Sequence, residues 1–328
     1  MKYISTLLFF LLCSLLAYGQ GTFPPTFFDG KTIVLLSNDP GARPLVTWQA
    51  LADSIHSYLV RAGGDPVAYY ELEQVALSEE RQSEYAKAFL QRQIQNLIFI
   101  TRQKDQTSIH VGKFSGDGKL IRDASLFGVS GKDWQIAAQQ FAAYGRTTPT
   151  RNLLVSDLAE FPGLVNQGAA TGAQKFISRN PLNLEVFRLG IPVEGTSAVN
   201  GPISTFRYNA YGKSAENLLS EQSVQKRGLE EIFSNNYSYE VAWLTEAKSN
   251  SELWDDRIRF LLVRVEGRQA DLMMSMGLKP LTGDEGQKTV IKYYIRHLAR
   301  NEQYIGPSWD AHPDWRIALT QFLENLKK

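Results

Sequence analysis

A nine-residue string near the middle of the chain, Asp133-Trp-Gln-Ile-Ala-Ala-Gln-Gln-Phe141, recurs close to its end as Asp314-Trp-Arg-Ile-Ala-Leu-Thr-Gln-Phe322, with six of the nine positions identical. In each copy an acid stands before a Trp, and small or apolar residues and a Phe follow at helical spacing, the pattern of one amphipathic helix. A helix that closes each half of the chain limits the fold more than any compositional figure does. It predicts two copies of one domain, the second much diverged, over residues 20–148 and 184–328 with a connector at 149–183.

The N-terminus adds a second constraint. Lys2 precedes the apolar run Leu7–Leu16, and Ala17-Tyr-Gly19 supplies a small-x-small cleavage pattern, so residues 1–19 are expected to be a secretory signal peptide. The run is shorter than the roughly 20 residues of a spanning helix. Leu12 before Cys13 stands where a lipoprotein signal wants a small side chain. Removing Met1 to Gly19 takes away Cys13, the one cysteine, and leaves 34 basic against 34 acidic residues. The expectation is an exported protein, periplasmic or extracellular, without disulfides and without a transmembrane span once the signal is gone. Its balanced charge argues against bulk electrostatic binding to nucleic acid.

The first half alternates strands and helices. Ile33–Leu36 and Leu97–Ile100 are continuous apolar runs, the pattern of strands covered on both faces, and Val67–Leu72 is a further strand. Trp48, Leu51, Ala52, Ile55, Leu59 and Ala62 lie at helical spacing before Gly63-Gly64. A second helix starts near Glu79 under a Ser78 cap, with Tyr85, Phe89, Leu90 and Ile94 facing inward. Ile109–Phe114 and Lys119–Ile121 flank Gly116-Asp-Gly118, which predicts an edge hairpin. The order β-α-β-α-β-β-α predicts an α/β class with an α+β tendency, each domain a mixed sheet in two or three layers.

The second half is expected to follow the same order. Strands are read at 186–193, 239–244 and 259–265, a helix or broken pair at 213–234, a short helix at 250–257 and a helical turn at 269–277. The alternation over Thr289–Arg296 predicts a half-exposed strand, a turn at Asn301-Glu302 precedes Gln303–Ile305, and the last helix is expected to begin at Pro313. One passage of the chain between halves is expected, near 146–183, where Asn152–Ser156 could add a strand to either.

No motif carries a complete chemistry. Gly128-Val-Ser-Gly-Lys132 resembles the end of a phosphate loop, but Leu126 stands where Gly is needed and Asp133 where Ser or Thr is, so a turn with a helix cap is expected. Gly168-Ala-Ala-Thr-Gly172, with Lys175 beyond, fails the same spacing and reads as flexible connector. Asp310-Ala-His-Pro-Asp314 has residue types for a divalent metal or acid-base work, yet helix entry is the simpler account. His56, His110, His297 and His312 lack any paired ligand spacing. Asn236-Tyr-Ser238 is a glycosylation sequon, relevant to eukaryotic secretion. Tyr69, Tyr70, Tyr293 and Tyr294 lie near strands, where they either line a groove for peptide or sugar or pack an edge. No catalytic, cofactor-binding or metal-ligating residue is assigned, and no cofactor is expected.

Leu51-Ala-Asp-Ser-Ile55 on the first helix, Ala62-Gly-Gly64 before the second strand, the strand Asn96–Thr101 and the hairpin before Trp134 together resemble the small α/β domain at the N-terminus of TolB. The same domain is found in the curli-secretion channel protein and in penicillin-binding-protein activators. The resemblance covers each half and implies a non-enzymatic domain that docks partners in the bacterial envelope. The chain has no lipobox, propeller or amphipathic membrane-inserting segment to go with it. The expected function is an exported, non-catalytic docking protein with an envelope protein partner. A periplasmic small-ligand binder with its site between two lobes is the alternative, and a hydrolase using acids such as Asp310 and Asp314 the second.

Overall fold

The computed structural model describes residues 21–122, 126–162, 175–180, 182–193, 202–246, 248–300 and 302–327. Residues 1–19, expected to be a signal peptide, and Gly168–Gly172 lie outside them. By compactness the chain divides into two units: Met1–Leu72 with Ser83–Gly163 and Thr205–Tyr211, and Glu73–Gln82 with Leu164–Ser204 and Gly212–Lys328. Each unit includes a segment from the other half of the sequence. The chain therefore passes between units more than once, against the single passage expected.

The first unit is built on a five-stranded sheet of order β2-β1-β3-β4-β5, comprising β1 (Lys31–Asn38), β2 (Asp65–Glu71), β3 (Asn96–Arg102), β4 (Thr107–Lys113) and β5 (Phe127–Gly131). β1 runs parallel to both neighbours, and β3–β4 and β4–β5 are antiparallel. Val34, Leu36, Ile98, Ile100, Ile109 and Val111 meet helices α1 (Trp48–Arg61) and α4 (Trp134–Gly145) through Leu51, Ile55, Leu59, Ala137, Ala138 and Phe141. Thr47 caps α1 by accepting from the Ala50 amide. Gly145 permits close approach of the two helices, since a Cβ there would run into the Ala62 carbonyl oxygen. A short helix α2 (Leu72–Val75) precedes α3 (Glu79–Gln91). Tyr85 and Phe89 of α3 pack on Tyr70 at centroid distances of 5.2 and 5.6 Å, giving this unit its third layer.

The second sheet has the order β6-β11-β10-β9-β7-β8, from β6 (Lys175–Ile177), β7 (Arg188–Pro192), β8 (Val241–Leu244), β9 (Ile258–Arg268), β10 (Thr289–His297) and β11 (Glu302–Tyr304). β7 is parallel to β8 and β9, whereas β9–β10 and β10–β11 are antiparallel. Leaving aside β6, which pairs parallel with β11, strand order and direction repeat those of the first sheet. On one face Leu229 and Phe233 of α5 (Ala215–Asn236) and Ala318, Leu319 and Phe322 of α9 (Trp315–Leu326) cover Leu189, Phe260, Ile291 and Ile295. On the other, Leu272 and Met276 from α7 (Gln269–Ser275) and its C-terminal boundary pack on Val265, Val290 and Tyr294. Leu253 of α6 (Asn250–Asp255) packs on Ala242 and Ile258. A further short helix, α8 (Gly283–Gln287), is not anticipated by periodicity.

The repeated nonapeptide performs the same task twice. Asp133 accepts from the Ile136 amide and Asp314 from the Arg316 amide, each capping a helix whose first residue is Trp. Phe141 and Phe322 are fully buried.

Several local expectations need correction. Residues 119–121 do not return as a strand. The turn at 116–118 closes through Ser115 N–H to Leu120 O, and the partners of β4 are β3 and β5. Residues 128–131 are strand, not turn. β10 is buried at six consecutive positions, not half-exposed. Pro313 lies outside α9, because Asp314 is the cap. Asn152–Ser156 adds a strand to neither sheet. Among the described residues no helix is long and apolar enough to cross a membrane.

Truncating Phe141 or Phe322 to Ala is expected to cost about 3–5 kcal/mol each, and removing the cap by Asp133→Ala or Asp314→Ala about 1 kcal/mol. Urea unfolding of the four variants measures this. Aromatic truncations no costlier than the cap removals would contradict the core assignment.

Candidate functional site

The acids and imidazole at 310–314 do not form one centre. Asp310 is buried, its Oδ1 accepting from Lys292 Nζ at 2.6 Å and its Oδ2 from Asn325 Nδ2 at 3.0 Å. Lys292 also donates to the carbonyl oxygens of Tyr293 and Ile305, both at 2.7 Å, so each of its three donors has an oxygen. Burial pulls its pKa below the ordinary lysine value, and Asp310 opposes that shift. The Phe322 ring lies 4.7 Å from the same ammonium. Asp314 caps α9, while His312 Nδ1 accepts from the Asp314 amide at 2.9 Å. Helix entry thus describes Asp314, and Asp310 belongs to a buried ion pair. Among the described residues no group of three His, Cys, Asp or Glu is placed to hold a metal ion.

The other histidines are also dispersed. His56 on α1 joins Tyr69 Oη at 2.7 Å to the Ser156 carbonyl oxygen at 2.8 Å. His297 Nδ1 accepts from the Ala299 amide, and its pKa is lowered chiefly by burial. His110 on β4 stands opposite Phe99 and Gly128. A Cβ at Gly128 would strike the His110 ring, which explains the glycine that resembled part of a phosphate loop. Ser130 of the same string bonds Ser108 across the strands at 2.8 Å. Tyr69, Tyr70, Tyr293 and Tyr294 are all buried, so none lines a groove.

Sequence reasoning passed over two surface features of the first unit. Residues 150–161 form a strap fastened along its length. Thr150 Oγ1 donates to Gly63 O, the Arg151 amide to Phe28 O, Asn152 Nδ2 to Phe27 O and the Tyr69 amide to Glu160 O. His56 holds Ser156 O, and Phe161 packs edge-on against Trp48. Between these ties Leu153, Leu154 and Leu158 remain 85, 99 and 76% exposed. These three side chains are apolar area that the fastened segment leaves unburied. The signal was present as three leucines in a segment without periodicity, which a search for helices and strands discards.

Beside the N-terminal arm lies a groove of about 710 Å³, with Phe23, Phe28, Phe127, Tyr144, Thr147 and Arg151 among its lining residues. Phe23 stacks on Phe127 at 4.0 Å, and Arg151 Nη1 meets Asp29 Oδ2 at 3.3 Å. Aromatic walls with a charged pair suit a small, partly apolar ligand or a side chain.

Lys292→Met is expected to lose about 3–5 kcal/mol by leaving Asp310 charged and buried, while Lys292→Met with Asp310→Leu recovers most of it. Chemical denaturation of the single and double variants measures the difference, and a double variant no better than the single would contradict the ion-pair account.

Burial lowers the His110 pKa from 6.5 to about 4. Between those values the unfolded chain binds a proton that the folded chain refuses. Stability present above pH 6.5 is therefore lost as pH falls toward 4, by about 1.4 kcal/mol per pH unit at most. Stability measured from pH 7 to 5 should fall less steeply in His110→Gln than in the wild type, and parallel curves would exclude His110 as the source.

No family model matches this chain, and no curated protein or solved structure matches it significantly.

Proposed function

We propose that the chain is an exported, non-catalytic protein of two α/β units that docks another protein of the cell envelope through its first unit. The observation that carries this reading is the strap, whose outward leucines sit on a backbone already fixed to the folded unit. A pre-ordered segment loses little conformational freedom on association, so its apolar side chains contribute most of their burial energy to binding. The matching partner is a protein with an apolar groove that accepts three leucine side chains. Export rests on the Met1–Gly19 pattern, and the resemblance to envelope docking domains agrees with it.

A second reading, a small-ligand site within the first unit instead of between two lobes, has support in the groove beside the N-terminal arm. Sugars and aromatic acids are the classes that ring-lined walls suit. A ligand of this kind should raise the melting temperature of the wild type, and Tyr144→Ala should remove the rise.

For the docking reading, envelope proteins captured by the wild type are compared with those captured by Leu153→Asp/Leu154→Asp/Leu158→Asp. All three positions are exposed, so the triple variant should melt within a few degrees of the wild type. Selective loss of a captured protein is the expected outcome. Identical captures by both chains would sink the assignment of the strap.

A further inference from the structure

The crossovers of β1 divide in the first sheet, α1 leading to β2 on one side and the chain returning through α3 to β3 on the other. Open α/β sheets bind ligands at such a switch point, outside the carboxyl ends of the strands. Here those ends carry Ser37 on β1 and Thr101 on β3, direct partners across the ladder, continued by Ser108 on β4 and Ser130 on β5. The next row on the same face is Leu35, Phe99, His110 and Gly128. The position is occupied by Thr205–Tyr211, a segment from the second half of the sequence that belongs to the first unit.

The manner of occupation resembles ligand binding more than core packing. Side chains of the sheet and its following turn hold the segment by its backbone: Thr101 Oγ1 donates to Phe206 O at 2.5 Å, Gln103 Nε2 to Tyr208 O at 2.8 Å and Tyr211 O at 3.2 Å, and the Tyr208 amide donates to Ser37 Oγ at 2.7 Å. Aromatic contacts supply selectivity. Phe206 stacks on Phe99 at 4.4 Å with 19° between rings, and His110 lies 5.3 Å from Phe206 and 5.4 Å from Tyr211. The complement is imperfect: Tyr211 Oη and His110 Nε2 are 3.3 Å apart, and buried His110 Nδ1 has no hydrogen-bond partner among the described atoms. Buried polar atoms are normally satisfied in permanent cores.

We propose that Ser37, Phe99, Thr101, Gln103 and His110 form a peptide-binding site whose resident ligand is the chain's own Thr205–Tyr211. The site takes in exchange a peptide of the same chemistry, presenting one aromatic ring to Phe99 and free backbone groups to Ser37, Thr101 and Gln103. The resident segment is then an intramolecular competitor. This site is separate from the leucine strap and does not depend on the strap's role.

The test uses the full chain with Phe206→Ala and Tyr211→Ala, which keeps the sheet residues and weakens the resident. A fluorescent synthetic peptide spanning residues 202–212 should bind this variant at least tenfold more tightly than the wild type, and a peptide with Ala in place of the Phe should lose that binding. A folded variant that does not bind the peptide, or a wild type that binds it equally well, would overturn the proposal. Should the variant fail to fold, hydrogen exchange on the wild type decides. The Tyr208 amide should exchange at least a hundredfold faster than the amides of Ile98 and Ile100 in β3, and equal protection would show that the segment never leaves.

Discussion

The parallel pairing of β1 with β3, and of β7 with β9, is the constraint from which the remaining architecture follows. A parallel pair cannot close with a tight turn, so the chain must cross over a face of the sheet between the two strands. Crossovers on both faces bury the central strands on both sides, which is why Lys31–Asn38 and Asn96–Arg102 are apolar with little alternation. The antiparallel strands join at one side of each parallel core, where a short link suffices. The same division of crossovers opens a place at the strand ends, which the first unit fills with residues of its own chain.

What the residues disclosed beforehand is what local periodicity encodes. Ile33–Leu36, Leu97–Ile100 and the Trp48–Ala62 stripe define β1, β3 and α1, and the nonapeptide gives α4 and α9, although α9 starts after an Asp314 cap and not at Pro313. What escaped depends on partners distant in sequence. β5 contains Gly128 and Gly131, poor strand residues, and Gly128 is there because the His110 ring occupies the space of a side chain. Lys292 gives β10 the look of a solvent-facing strand, yet Asp310 neutralises it eighteen residues away and both are buried. Gly116 lies in left-handed backbone as a turn requires, at φ 77°, so the turn was legible. The strand that eventually pairs after it was not, because Leu120 and Ile121 are buried without joining the sheet.

The Lys292–Asp310 pair has a positional effect as well as an electrostatic one. β11 has three residues and two partners on β10, and the chain leading into α9 gains one further bridge to that strand, His312 with Ile291. Lys292 reaches across that stretch to the Ile305 carbonyl and the Asp310 carboxylate, and Asp310 in turn accepts from Asn325 near the end of α9. A fully satisfied buried pair adds little net stability compared with apolar residues of the same volume, but it penalises any arrangement that separates the charges. It thereby fixes the route by which the second copy of the repeated helix is laid on its sheet.

Two stretches of chain are held against the first unit largely by bonds between side chains and backbone groups. His56 holds the strap by the Ser156 carbonyl while Thr150 and Asn152 of the strap bond back to Gly63 O and Phe27 O, and Ser37, Thr101 and Gln103 hold Thr205–Tyr211 by its backbone. The difference lies in where the segment's own side chains go. The strap turns Leu153, Leu154 and Leu158 to solvent, so its fastening leaves apolar area to be buried elsewhere. The other segment turns Phe206 and Tyr211 toward Phe99 and His110, so its rings find partners within the unit. A surface that reads backbone through side chains places few demands on the sequence it holds, and selectivity falls to the aromatic contacts. The two segments thus differ in kind, the strap leaving apolar area outside the unit and Thr205–Tyr211 filling the strand ends within it.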